Sequence, residues 1–300
     1  MSKKQKESLQ HKVLSMIEGA YCPNISKHDI KGTDAQKSII FSNEYRRGIT
    51  STAFDFVRFA KQEYGAKRLE DLPRAVQPFL ESKADSCSNT TLARYASELK
   101  KLSHIIGQDF NCRIGTLKPD DTIKRAIPMT REDYNKLMAA PKQKGAASYK
   151  ALQIAGLTGL RVDTIPWLKV EDLRANGTKL FIAHAKGGRQ WTIHLSPQAQ
   201  AYFKEITQGL KRGDYIITGT DKRTSTDSLA KAFDRASERA GLTRYKDHNT
   251  AWHSIRKMWA TETYIEKKSL IGEKAAREYV LRELGHSETR TELAKIYIFA

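Results

Sequence analysis

The chain is 300 residues long, enough for two ordinary domains with real cores or one large domain. It is 39% hydrophobic and 29% charged. No apolar run approaches the ~18 residues that a membrane span requires, so a soluble globular protein with no membrane partner is expected. Fifty-two Lys and Arg against 34 Asp and Glu leave a net charge of +18. The surplus is spread along the chain: 22 basic against 15 acidic residues through Arg125, and 30 against 19 beyond it. A neutral enzyme carrying one basic tail does not look like this. A surface that meets a polyanion along its whole length does, and nucleic acid is the usual polyanion. Such binding weakens steeply with salt, because neutralised phosphates release counterions. Cys22, Cys87 and Cys112 are scattered, with no CxxC pair. That spacing is neither a disulfide framework nor a zinc site, and it fits a reducing cytoplasm.

The opening tract MSKKQKESLQHK has charge with no apolar stretch behind it, so it is not a signal peptide. Residues 1–35 read as a basic, solvated and partly disordered arm. Helical patterns then dominate to about residue 110. In TAFDFVRFAKQEYG, Phe54, Val57 and Ala60 recur at helical spacing and Gly65 offers a stop. LPRAVQPFLESK reads as a short helix started by Pro73, and NTTLARYASELKKLSHIIG as a longer one carrying Leu92, Tyr95, Leu99, Leu102 and Ile106. Residues 36–114 therefore read as a small helical bundle.

Residues 115–128, GTLKPDDTIKRAIP, have two prolines, paired aspartates and no periodicity, and read as a linker. A helix follows from Thr130, with Asp133 three residues on as an imperfect capping box. Beyond it the texture is mixed. TKLFIAHA is rich in strand formers, Gly187 and Gly188 supply a turn, and WTIHL alternates on the way back, which predicts a β-hairpin. Helices are expected over 197–208, 225–240, 250–265, 273–284 and 290–298. The fold class is thus mainly α with a small β component, with a second domain over 129–300.

Six side chains in that second domain stand out together. Arg161 follows Gly159, read here as the point where one helix ends and the next begins. Such a turn can present a guanidinium and helix N-terminal amides to one anion. Lys186 stands at the hairpin tip, with Arg189 as a rival. His253 and Arg256, in HSIRK, are spaced i and i+3 and so share a helix face. His286 follows a glycine in ELGHSETR, and Tyr297 comes eleven residues later. No carboxylate cluster of the kind two-metal catalysis uses is evident, and neither metal nor cofactor is expected.

In that order, TGLR, AKGG, HSIR, LGH and a following tyrosine resemble the tyrosine recombinase (phage integrase) family across residues 130–300. The early helical region is similar to that family's core-binding domain in size, position and helix content. The resemblance implies a site-specific recombinase that cleaves and rejoins double-stranded DNA through a 3′-phosphotyrosyl link to Tyr297. Arg161 and Arg256 would clamp the phosphate, His253 would act as base, Lys186 would protonate the leaving oxygen, and His286 would hydrogen-bond the phosphate. It further implies a homo-tetramer on paired sites that exchanges strands through a Holliday junction, a nucleoid-associated cytoplasmic location, and room for an accessory DNA-bending protein. The alternatives are a type IB topoisomerase-like enzyme and a catalytically silent DNA-binding regulator of the same fold. Four departures from the family pattern stand beside this, one being a slightly longer gap from LGH to the tyrosine than is commonest. Thr164 occupies a usually acidic position, with Asp163 one place earlier. Lys257 stands where a second histidine is frequent. Only three residues follow Tyr297, so protomer coupling is expected to use another element unless the chain continues.

Overall fold

The computed structural model of the protein describes residues 8–25, 29–114, 127–140, 146–185, 189–246, 251–287 and 289–300. The chain divides into two compact units, Met1–Ile123 and Lys124–Ala300. Most of the expected linker, and the hairpin tip with Lys186, lie outside the described residues.

The first unit is helical: α1 (Leu9–Gly19), α2 (Ala35–Ser38), α3 (Asn43–Tyr64), α4 (Val76–Ala84) and α5 (Asn89–Ile106). Its first helix corrects the expectation of a loose arm. Ser8 caps α1 by accepting from the His11 N–H, and Leu9, Val13 and Ile17 are buried in the core. Those three positions are spaced i, i+4, i+8, an apolar stripe that the surrounding lysines conceal in a composition reading. Residues 9–19 are therefore core, not arm.

In α3 the buried stripe is Ile49, Ala53, Phe56, Val57 and Ala60. Phe54 lies off it, 41% exposed, with the Arg58 guanidinium over its ring. Phe56 sits where α3 and α4 meet, edge-to-face with Phe79 and Phe110 at centroid separations of 5.4 and 5.5 Å. Leu92, Leu99, Leu102 and Ile106 of α5 close this core as the spacing predicts, with Tyr95 half-buried beside it.

The second unit contains α6 (Arg131–Ala139), α7 (Ala147–Thr158), a three-stranded antiparallel sheet, and then α8 (Pro197–Ile206), α9 (Thr226–Arg239), α10 (Thr243–Lys246), α11 (Ala251–Ile271), α12 (Glu273–Glu283) and α13 (Ala294–Tyr297). The sheet order is β1 (Leu173–Arg174), β2 (Lys179–Ile182), β3 (Trp191–His194). The predicted hairpin is β2–β3, with Ile182 opposite Trp191 and Lys179 opposite His194. The two-residue β1 has too little alternation to be seen in sequence.

Thr130 does cap α6, its hydroxyl accepting from the Asp133 N–H. The reciprocal half of the capping box is absent, because the buried Asp133 carboxylate accepts instead from the Tyr245 hydroxyl and Arg244. Helix α11 runs further than its expected end at 265. It supplies Ile255 and Met258 to the core around the sheet and α7, and further along Ala260 and Tyr264 to a smaller core. Ala276, Val280, Leu284 and Tyr297 complete that smaller core. The final expected helix is shorter: a 3-10 turn over Thr291–Leu293 runs into α13. Among the described residues no helix is long and apolar enough to cross a membrane.

Candidate active site

The site is assembled where α7 ends, where α12 ends, and on one turn of α11. Gly159 closes α7 in the left-handed region, at φ +64°. A Cβ there would also lie 2.4 Å from the Trp259 ring, so only glycine fits. Contrary to expectation, Arg161 does not open a new helix. The chain turns, with the Thr164 N–H donating to the Arg161 carbonyl at 3.0 Å, and only a 3-10 turn over Ile165–Trp167 follows. Pro166 has no N–H to give the Val162 carbonyl, so a helix begun at Arg161 does not propagate. The Arg161 side chain therefore stands without helix N-terminal amides beside it.

Gly285 makes the second turn, at φ +73°, just after α12. A Cβ there would lie 2.7 Å from the indole of Trp191, which packs flat onto the turn. Arg256 holds the two turns together. Its guanidinium donates to the Gly159 carbonyl and to the Leu284 carbonyl, each at 2.7 Å. The side chain is only 1% exposed, and its Nε–H has no hydrogen-bond partner.

Around this guanidinium the other groups converge. An Arg161 Nη lies 3.1 Å from His286 Nε2 and 3.5 Å from the Tyr297 hydroxyl. An Arg256 Nη lies 3.4 Å from the same His286 nitrogen, and the Arg256 Cζ stands 5.1 Å from the Tyr297 ring centroid. The rings of His286 and Tyr297 are 5.3 Å apart. Guanidinium nitrogens only donate, so His286 Nε2 accepts from both arginines and its proton sits on Nδ1. Burial first, then Arg256 and Arg161, push the His286 pKa down to about 3, with Arg290 and Arg189 contributing. The imidazole is neutral at any physiological pH. Burial, and then Arg161, likewise lower Arg256 to about 9, which still leaves it charged at neutral pH.

Among the described residues no carboxylate pairs with Arg161 or Arg256. Asp163 is exposed and makes no bond to Arg161, so it does not take over the acidic position, while Thr164 is buried. Two cations and a neutral imidazole thus face a buried phenol with their charge uncompensated. Such an arrangement is chemically able to hold an anion beside the Tyr297 hydroxyl.

The structure accordingly brings Arg161, Arg256, His286 and Tyr297 together. His253 lies one turn before Arg256 on α11 and is half-buried. Sequence reading missed Glu283, a carboxylate only 2% exposed three residues before His286. It accepts from the backbone N–H of His194 at 2.8 Å and contacts the His194 Nδ1 at 3.0 Å. Nothing in the sequence links positions 89 residues apart, although Glu283 falls on the stripe of Ala276 and Val280 at i+7 and i+3. Among the described residues there is no group of three or more His, Cys, Asp or Glu side chains placed to hold a metal ion.

The phage integrase family model matches residues 128–297, which contains every residue of this site. The chain belongs to the phage integrase family, the tyrosine recombinases. The solved structures that share its fold include the following three. XerH site-specific recombinase bound to palindromic difH substrate, a post-cleavage complex, aligns with a TM-score of 0.66 at 17% identity, covering 99% of this chain and 94% of that one. The XerH pre-cleavage complex with difH gives 0.64 at 18% identity, covering 98% and 95%. A lambda integrase tetramer bound to a Holliday junction gives 0.62 at 17% identity, covering 97% and 78%. No protein of curated function matches the sequence significantly.

Proposed function

We propose that this protein is a site-specific DNA recombinase that cleaves one strand of its duplex site by attack of the Tyr297 hydroxyl on a backbone phosphate. The observation that carries this reading is the uncompensated pair Arg161 and Arg256, one of them fully buried, against that hydroxyl. A phosphodiester seated there takes the guanidinium donors that now fall on His286, and the orphaned Arg256 Nε–H gains an acceptor. As the pentacoordinate phosphorus gathers charge, the two forks stabilise it.

Tyrosine has a reference pKa near ~10, so neutral solution supplies little phenolate. His253 takes the phenolic proton as the oxygen–phosphorus bond forms. The departing 5′-oxygen receives a proton from Lys186, leaving a free 5′-hydroxyl and a 3′-phosphotyrosine. The reverse attack, by the 5′-hydroxyl of a second strand, restores a phosphodiester and frees Tyr297. The link keeps the energy of the broken bond, so rejoining consumes no ATP and needs no metal. With a phosphate between the arginines, the His286 ring is free to turn a donor toward it.

The first unit would serve as a core-binding domain for the duplex, over residues 36–114 together with α1. The working assembly is a tetramer on paired sites, exchanging strands through a Holliday junction during integration, excision or resolution of a mobile element. The net charge of +18 supports the duplex as partner.

The test is covalent trapping on nicked duplexes, selected by binding from a random library, in the presence of a chelator. Wild type should give a denaturation-resistant protein–DNA band, and Tyr297→Phe should bind the same duplex without one. Binding by both with no covalent band from either would point to a silent regulator. Relaxation of any supercoiled plasmid by a monomer would point to a topoisomerase.

A further inference from the structure

The β2–β3 hairpin is pinned on both strands, each time to a residue close in sequence to one of the anion-site groups. At the end of β2 the exposed His184 stacks on Trp167, with ring centroids 4.7 Å apart and planes at 29°. Trp167 lies six residues after Arg161, in the 3-10 turn that contains Pro166. The exposed Arg223 stands over the same indole, its Cζ only 3.9 Å from the centroid.

On the other strand, the outward N–H of His194 would be an open sheet edge. The buried Glu283 takes it at 2.8 Å and grips the His194 ring at 3.0 Å, while the Trp191 indole N–H donates to the Glu283 carbonyl at 3.1 Å. Glu283 precedes His286 by three residues. The hairpin therefore cannot swing without unstacking Trp167 on one side or stripping a buried carboxylate on the other. Leaving such a carboxylate unpaired is costly. A polar stack on the surface contributes little to a core, so its use is orientation.

We propose that the Arg223–Trp167–His184 stack and the Glu283–His194 clamp are positioning devices for the hairpin, and that they act on protonation of the leaving 5′-oxygen. The inference rests on the assignment of the leaving-group acid to Lys186, two residues beyond His184 in sequence. Trp167, His184, Arg223, His194 and Glu283 touch no substrate in this scheme; they act through the hairpin.

The experiment compares nicked duplexes whose scissile 5′-bridging atom is oxygen or sulfur, using the full-length protein and single-turnover formation of the covalent complex. A thiol, with a pKa near 8.5, leaves without a proton, so loss of the acid is repaired by sulfur. Lys186→Ala should lose about 10²–10⁴-fold on oxygen and recover on sulfur. Trp167→Ala, Arg223→Ala and Glu283→Gln should each lose roughly 3- to 100-fold on oxygen, less than removal of the acid itself, and recover on sulfur. Trp167→Phe, which keeps an aromatic face, should stay near wild type.

Because Arg223 is exposed, its substitution reports even if the Glu283 variant does not fold. Equal losses on both substrates, or wild-type rates for Trp167→Ala and Arg223→Ala on oxygen, would overturn the inference while Lys186→Ala still recovers on sulfur. A Lys186→Ala variant equally slow on both would overturn the assignment of the acid, and the inference with it.

Discussion

Arg256 donates to the carbonyl of Gly159 at 2.7 Å, so the residue that ends α7 is fixed by the buried cation of α11. Gly159 has no freedom to change: its φ of +64° disfavours any side chain, and Trp259 fills the space a Cβ would need. Gly159→Ala should cost about 1–2 kcal/mol from backbone strain alone, with a further loss from displacing the indole. Chemical denaturation measures the first effect. Covalent trapping should fall by more than stability does, because the Arg161 turn moves with the carbonyl. An Ala variant with normal stability and normal trapping would mean that the turn is not held as described.

Arg256 itself gives a sharper prediction. A lysine keeps the charge but cannot fork onto the Gly159 and Leu284 carbonyls while also facing a phosphate. Arg256→Lys should therefore lose about 10²–10³-fold in the rate of covalent complex formation, the scale expected on losing one preorganised donor set. Affinity for duplex DNA should change little, since backbone contacts are spread over many cations. Single-turnover kinetics beside a binding isotherm separates the two. A large loss of affinity with a normal rate would relocate Arg256 from the chemistry to docking.

Much of this site can be read from sequence because its members are ends of elements. TGLR and LGH each place a glycine at a helix terminus, and the spacing in HSIR puts two side chains on one face. The order of these strings carries the family without any contact being known. What sequence does not carry is support from afar. Glu283 reaches His194 across 89 residues, and His184 and Arg223 meet only on the face of Trp167. Local patterns misled in two places. Lysines around Leu9, Val13 and Ile17 hid a buried stripe, and Pro166 overrode the apparent helix start at Arg161.

The reassignment of α1 is itself testable. Ile17 is fully buried in the first core, so Ile17→Ala should destabilise the protein by about 2–5 kcal/mol. Ser8→Ala, which removes the helix cap, should cost about 1 kcal/mol. A solvated arm would show neither effect. Urea denaturation of the two variants decides between arm and core, and no change in either would return residues 9–19 to the arm.

The histidine between the arginines predicts a pH dependence with a definite sign. Unfolded, His286 titrates near 6.5; folded, it is held down at about 3 by burial and by Arg256 and Arg161. Between those values the unfolded chain binds more protons, so stability rises with pH there and is lost as pH falls from 6.5 toward 3. Above 6.5 this group contributes its full share, with no further change. His286→Gln removes the titration and should flatten the slope of stability against pH within that window. A bound phosphate adds a negative charge that offsets the two Coulombic causes, so the His286 pKa should rise when duplex DNA occupies the site. The imidazole proton resonances of Tyr297→Phe, followed by NMR with and without a short duplex, report that shift without interference from cleavage. An unchanged His286 titration in the complex would mean that the phosphate does not sit between Arg161 and Arg256.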